Sequence, residues 1–397
     1  MANAVYHSKV ARFVPDAITE LIGSRGVDVI RRIGVDEVRR VVADVLCGIN
    51  LRDSTELLTR RRISMLNAAT LVLFLHGLNA SKDFVKELPQ IATRGLRHRT
   101  SKQEQWLLQW FIGLTTKGVQ NILRDSQTAL DRYREGFVKT QADVVNRCTK
   151  EFGPVAGVIQ LGGDKQVPVS WDVLLSLFCT IGSQTLAVRG SEKSTYGKLF
   201  ERLVLGSVLQ VLGFEHVLYP PRKTTGVFWL SSRLGTRESD ATLLCKPGKA
   251  VRFDIGFIGR GNPEISKDKV SRFERQIEIG GQKHFCATFV IVDRIGERSH
   301  LVEQAKAIHG TIIQMSMSYW PRILAEQLFE RTGCRSVLMG VSDSRIEDEI
   351  RKRAGKVKLE ALVEATSELI EQEKDDGSGL LGESKGTYHA DIDSVGT

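Results

Sequence analysis

Two carboxylates, Asp240 and Asp254, are the residues whose placement most suggests chemistry. Asp240 to Lys246 alternates and is rich in Thr and Leu, Pro247-Gly248 is a turn signal, and Ala250 to Ile258 is a β-branched and aromatic run. The segment therefore predicts a hairpin with one acid on each strand. Asp254 stands between Phe253 and Ile255, where a charge is unfavourable unless it has a partner or a task. A structural salt bridge accounts well for one such Asp. Two on paired strands repel each other unless a cation lies between them, which points to a divalent metal with oxygen ligands. Mg2+ fits best, because few nitrogen or sulfur ligands stand nearby.

The elements that must hold this pair lie before and after it in the chain. In the stretch SEKSTYGKLFERLVLGSVLQVLGFEH, Ser194 reads as a helix cap and Gly213 as the helix end. Its interior is almost all Leu, Val and Phe except Glu201, whose neighbours Val204 and Leu205 put its face toward the core. Glu201 either serves a structural ion pair or reaches the hairpin acids and helps hold the metal, directly or through water. After the hairpin, Ser266 can cap a helix to about Ile277 that carries Lys267, Lys269, Arg272 and Arg275. Phe285 to Val292 is a continuous apolar run of the kind buried on both faces of a sheet. Leu301–His309 and Tyr319–Thr332 read as helices and Ser336–Gly340 as a short strand. The order helix, hairpin, helix, strand, helix, strand predicts α/β architecture with a mixed central sheet flanked by helices.

The chain has 397 residues and 42% hydrophobic content, enough for two or three cores. Its net charge of +9 favours a polyanionic partner. Nine acids and two lysines lie between Val363 and Thr397, so the remainder carries about +16. Six scattered cysteines without a CxxC pair fit reduced thiols and argue against zinc. No secretory signal is visible, and the longest apolar run, Ala68 to Leu75, is far short of a bilayer span. These features predict a cytoplasmic protein with no membrane association.

Residues 1–150 read as mainly helical, with Val38, Val41, Val42 and Val45 at helical spacing from Val35 to Leu46. Arg60-Arg61-Arg62 and the cluster Arg94, Arg97, His98, Arg99 and Lys102 read as solvated faces or as phosphate contacts. Trp106 and Trp110, four apart, read as core in preference to base stacking. The glycines between Phe152 and Pro168 mark a loop or boundary, and Trp171 to Ile181 reads as a core helix. The expected organisation is a helical region at 1–150 serving DNA binding or dimerisation, a catalytic domain at 151–346, a charged helix at 347–374 and a disordered acidic tail at 375–397. Neither Gly197-Lys198 nor Gly248-Lys249 has the spacing of a phosphate-binding loop.

Helix with Glu201, strand with Asp240, return strand with Asp254, helix and central strand resemble the PD-(D/E)XK nucleases. The wording of YGKLFERLVLGSVLQVLGF and FDIGFIGRGNPEISKDKVSRFE is similar to type II restriction endonucleases of the CfrBI-like group, over about Ser191 to Val292. The resemblance implies a PD-(D/E)XK nuclease core and a site-specific, Mg2+-dependent endonuclease acting on double-stranded DNA. It also implies a homodimer reading a palindromic site in a bacterial or archaeal cell. Asp240 takes the place of the first motif acid and Asp254 that of the second. Where the family's lysine stands, two residues after the acid, this chain has Gly256. The resemblance therefore implies that Lys269, or alternatively Lys267, supplies the charge from the next helix. A second register pairs Asp254 with Glu264 and Lys267, though Pro263 counts against a strand interior there. Other activities of the same fold, a structure-specific repair nuclease or an inactive DNA-binding protein, stay open at this point.

Overall fold

The computed structural model describes residues 10–22, 26–98, 101–123, 128–161, 166–218, 225–231, 239–247, 249–257, 285–293 and 310–363. Its N-terminal part is built from helices α1 (Asp16–Ile22), α2 (Gly26–Ile33), α3 (Val35–Leu46), α4 (Leu51–Ala80), α5 (Phe84–Arg97), α6 (Lys102–Phe111), α7 (Thr116–Leu123) and α8 (Ala129–Phe152). The valine spacing that predicts α3 is realised, with Val38, Val41, Val42 and Val45 all buried. Local signals set the starts. The Asn50 side chain accepts from Arg52 N at 2.9 Å to open α4, and Ser101 accepts from Glu104 N at 3.1 Å to open α6. Each satisfies one of the amides a helix start leaves without a partner.

Phe152 to Pro168 is more than a loop. Strands β1 (Gly157–Gln160) and β2 (Gln166–Val169) pair as an antiparallel hairpin. The next helix, α9 (Trp171–Val211), is continuous for 41 residues. The sequence predicts two helices here, with Ser194 capping the second, but Ser194 lies inside α9. Gly182, Gly190 and Gly197 do not interrupt it. Glycine in a helix weakens it by about 1 kcal/mol without forcing a break, and no proline stands in the segment. Gly213, at φ 98°, does terminate it as expected.

A six-stranded mixed sheet follows, in the order β3 (Glu215–His216), β4 (Val227–Leu230), β5 (Ala241–Lys246), β6 (Lys249–Gly256), β7 (Phe285–Val292) and β8 (Gly310–Gln314). The strands β4, β5 and β6 form an antiparallel meander, and β7 and β8 add to β6 in parallel. Helices α10 (Trp320–Thr332) and α11 (Asp343–Ala354) close the fold. Ser336–Gly340, expected as a strand, forms turns instead. The Ser336 hydroxyl donates to Leu212 O at 3.0 Å, so this segment covers the carboxyl end of α9. The expected charged helix at 347–374 is also interrupted: α11 stops at Ala354, the chain turns through Gly355, and helical residues resume at 359. The expected helices at Ser266–Ile277 and Leu301–His309, and the acidic tail, lie outside the described residues.

One face of the sheet is the core face. It carries Phe228, Leu230, Ala241, Leu243, Val251, Phe253, Ile255, Phe289 and Ile291, which join α9 residues such as Phe200, Val204 and Val208 in a single apolar cluster. Phe253 and Phe289 stack across β6 and β7 with centroids 5.5 Å apart. Trp110 is fully buried and Trp106 packs on it edge-on, in keeping with the core reading. By length and composition α4 and Trp171–Gly190 would suffice to cross a membrane. In this fold they pack on each other, with Gln184 accepting from the Thr70 hydroxyl at 2.7 Å and donating to Asn67 at 2.9 Å.

Candidate active site

Alternation along β6 divides its side chains. Val251, Phe253 and Ile255 enter the core, which sends Arg252, Asp254 and Gly256 to the opposite face. The register Ala241↔Phe253, carried one step further, sets Asp240 directly across from Asp254. Hydrogen bonds fix the pair in both directions. Asp254 Oδ1 accepts from Asp240 N at 3.2 Å, and Asp240 Oδ2 accepts from Ile255 N at 2.9 Å. Each carboxylate is held by the backbone of the opposite strand, so neither can rotate away without losing an amide partner. Asp254 is only 7% exposed and Asp240 is half-buried. The two predicted acids are thus brought together on one side of the sheet.

The next position on the same face of β6 is Gly256, paired in register with Val292. Lys269, Lys267 and Glu264 lie outside the described residues. On the other side of Asp254 the same face carries Arg252, whose register neighbours Thr242 and Thr288 are both buried polar residues. Arg252 belongs to no motif in the sequence; its position two residues before Asp254 on an alternating strand is the signal that sets it on this face.

Glu201 is half-buried on α9. Its neighbour Arg202 donates to Ser231 O at 2.8 Å, and Ser231 N donates to Asp240 O at 3.1 Å. This chain of contacts ties α9, at the turn bearing Glu201, to the strand end bearing Asp240. Among the described residues, however, no group of three or more His, Cys, Asp or Glu is close enough to hold a metal ion. The structure therefore assembles the two hairpin acids and does not gather Glu201 into a three-acid cluster with them. Arg202, the residue that anchors the helix, is a second one the sequence reading missed.

A carboxylate pair on an antiparallel hairpin, set beside a helix that reaches the same strand ends, is an arrangement suited to hydrolytic chemistry at a phosphate. The model of the CfrBI restriction endonuclease family matches residues 35–300. The chain belongs to that family. It is similar to the type II restriction enzyme CfrBI of Citrobacter freundii, with 42% identity over 298 residues, covering 74% of this chain and 81% of the relative. No solved structure matches the chain. Family membership brings the activity class with it, a site-specific restriction endonuclease, as the resemblance in the sequence implies. The matched span takes in α3 through β7 and so includes both aspartates and Glu201.

Proposed function

We propose that the protein hydrolyses phosphodiester bonds of double-stranded DNA in a Mg2+-dependent reaction centred on Asp240 and Asp254. The observation that carries this reading is the mutual clamping of the two carboxylates, Asp240 N to Asp254 and Ile255 N to Asp240. An all-oxygen donor pair on a rigid hairpin suits a hard divalent cation. Mg2+ bound there would lower the pKa of a coordinated water and offset the charge developing on the attacked phosphate. Glu201 is assigned an outer position, contacting that assembly through water. Lys269 is the proposed source of the positive charge that Gly256 cannot provide, with Lys267 as its alternative. Its task would be to orient the attacking water and to place a fixed charge beside the phosphate.

The topology supports a PD-(D/E)XK core: helix α9 precedes the β4–β5–β6 meander, and β7 then adds parallel to β6. Two active sites related by a two-fold axis would match a palindromic duplex, so the working form is proposed to be a homodimer in the cytoplasm of a bacterial cell.

The deciding experiment is digestion of phage DNA of known sequence by the purified protein with Mg2+, followed by mapping of the ends. Discrete, reproducible fragments are expected. Smears, or cleavage of branched substrates alone, would favour a repair nuclease. Asp254→Ala is expected to abolish cleavage while specific DNA binding in Ca2+ survives; undiminished cleavage by this variant would remove the assignment.

A further inference from the structure

Cys245 and Cys334 are 89 positions apart in the chain, yet both border the Thr332 hydroxyl at the carboxyl end of α10. Cys245 lies on β5 and is 6% exposed; Cys334 follows the helix and is 7% exposed. Thr332 joins them. Its hydroxyl lies 3.9 Å from Cys245 Sγ and accepts from Cys334 N at 3.1 Å. Between Thr332 and Cys334, Gly333 ends the helix in the left-handed conformation at φ 68°. The Lys246 ammonium lies over this turn, 2.8 Å from where a Cβ on Gly333 would stand. The Cys245 thiol, the Thr332 hydroxyl, the Cys334 amide and the Lys246 ammonium therefore gather at one helix end, where the Cys334 side chain interacts with that of Cys245.

We propose that Cys245 and Cys334 form a dithiol site that a hydroperoxide oxidises to a reversible disulfide. Cys334 is the attacking member. Its thiol is held below its ordinary value by the hydrogen bond from Cys245, with Lys246 and Thr332 contributing, against the effect of burial. Burial has the opposite outcome elsewhere: the Cys47 thiol is pushed up to about 11, and Cys179 is pushed up as well. In the first step the Cys334 sulfur attacks one peroxide oxygen. An S–O bond forms, the O–O bond breaks, and the departing hydroxide takes the Cys334 proton to become water. In the second step the Cys245 sulfur attacks the sulfenic sulfur. The S–S bond forms, the S–O bond breaks, and the hydroxyl leaves with the Cys245 proton as a second water. The two thiols lose two electrons between them and the peroxide gains two. The site is separate from the acid pair: Cys245 is five residues along the strand from Asp240, about 16 Å at the strand rise.

The test treats the full-length native protein with hydrogen peroxide and reads its intact mass and its non-reducing peptide map. The expected result is the loss of two hydrogens, one peptide joining the Cys245 and Cys334 fragments, and reversal by dithiothreitol. Cys245→Ser is expected to abolish the linkage and leave Cys334 trapped as a sulfenic acid that dimedone captures. A map in which Cys334 pairs with another cysteine, or in which Cys334 stays reduced while Cys148 oxidises, would overturn the proposal. So would a linkage that appears only in denaturant. If the serine variant fails to fold, the wild-type map decides by itself.

Discussion

At the scale of single residues, three consecutive arginines show how little a charge cluster says until its partners are known. Arg60 pairs with Glu56 at 3.0 Å and Arg61 with Glu37 at 3.4 Å, both on the surface. Arg62 is 1% exposed and donates from its Nε and a terminal nitrogen to Leu21 O, near the end of α1. It satisfies a carbonyl that the helix end leaves without a partner, from inside the core. Arg62→Ala is expected to lower the unfolding free energy by about 3 kcal/mol, from the lost charged hydrogen bonds and the void. Arg60→Ala should change it by less than about 0.5 kcal/mol; urea denaturation of the two variants measures both.

A second residue predicts a pH dependence. His216 on β3 is half-buried against Phe228, and burial, helped by the positive charge of Arg202, holds its pKa below the ordinary 6.5. The native state therefore binds the proton less readily than the unfolded chain. Its contribution is fully present above 6.5 and is lost as pH falls from there through the lowered native value. His216→Gln is expected to flatten the loss of stability in that window relative to wild type, as read by denaturation at a series of pH values.

At the scale of elements, the tightest restriction is where helices meet. Gly77 in α4 faces the ring of Phe84 at the start of α5, and a Cβ there would lie 2.3 Å from Phe84 Cζ. The ring has no room to retreat, since it is 3% exposed and meets Phe13 and Phe74 edge-on at 5.9 Å each. Gly77→Ala gains about 1 kcal/mol of helix propensity but overpacks the corner by about 1–3 kcal/mol. A net loss of about 1 kcal/mol is expected by thermal or urea unfolding, and adding Phe84→Leu should return part of it. What the sequence showed of the elements follows from the same local physics. The α3 valines and the β5–β6 hairpin were legible because burial on one face imposes a period on the residues themselves. The continuity of α9 was not, because Ser194 and its flanking glycines carry the marks of a boundary that helix hydrogen bonding does not require. The turns at Ser336 were hidden for another reason: they depend on Leu212 O, 124 residues away. At the site, strand alternation brought Asp240 and Asp254 into view, whereas Arg202 acts through a backbone carbonyl that no side-chain pattern announces.

At the scale of the whole molecule, the shift in sequence character at residue 150 does not coincide with a break in the core. One apolar cluster runs from Val10 to Val363. Helix α9 is about 60 Å long; it packs against α3, α4, α6 and α8 and also against β3, β4 and β6. Other ties cross the same boundary: Trp320 Nε1 donates to Val45 O at 2.9 Å, and Arg351 pairs with Asp44 at 3.0 Å. A fragment of residues 151–397 would expose the apolar face that α9 turns toward α3, α4 and α6. It is expected to aggregate and to lack a cooperative near-UV transition, while the full chain melts in one step. Size-exclusion chromatography and thermal scans of the two proteins make the comparison. A soluble fragment that melts cooperatively and cleaves DNA would mean that the sheet and α9 are sufficient alone. If the fragment collapses as expected, residues 1–150 are needed to hold α9 in place, and with it the turn where Arg202 meets Ser231 beside Asp240.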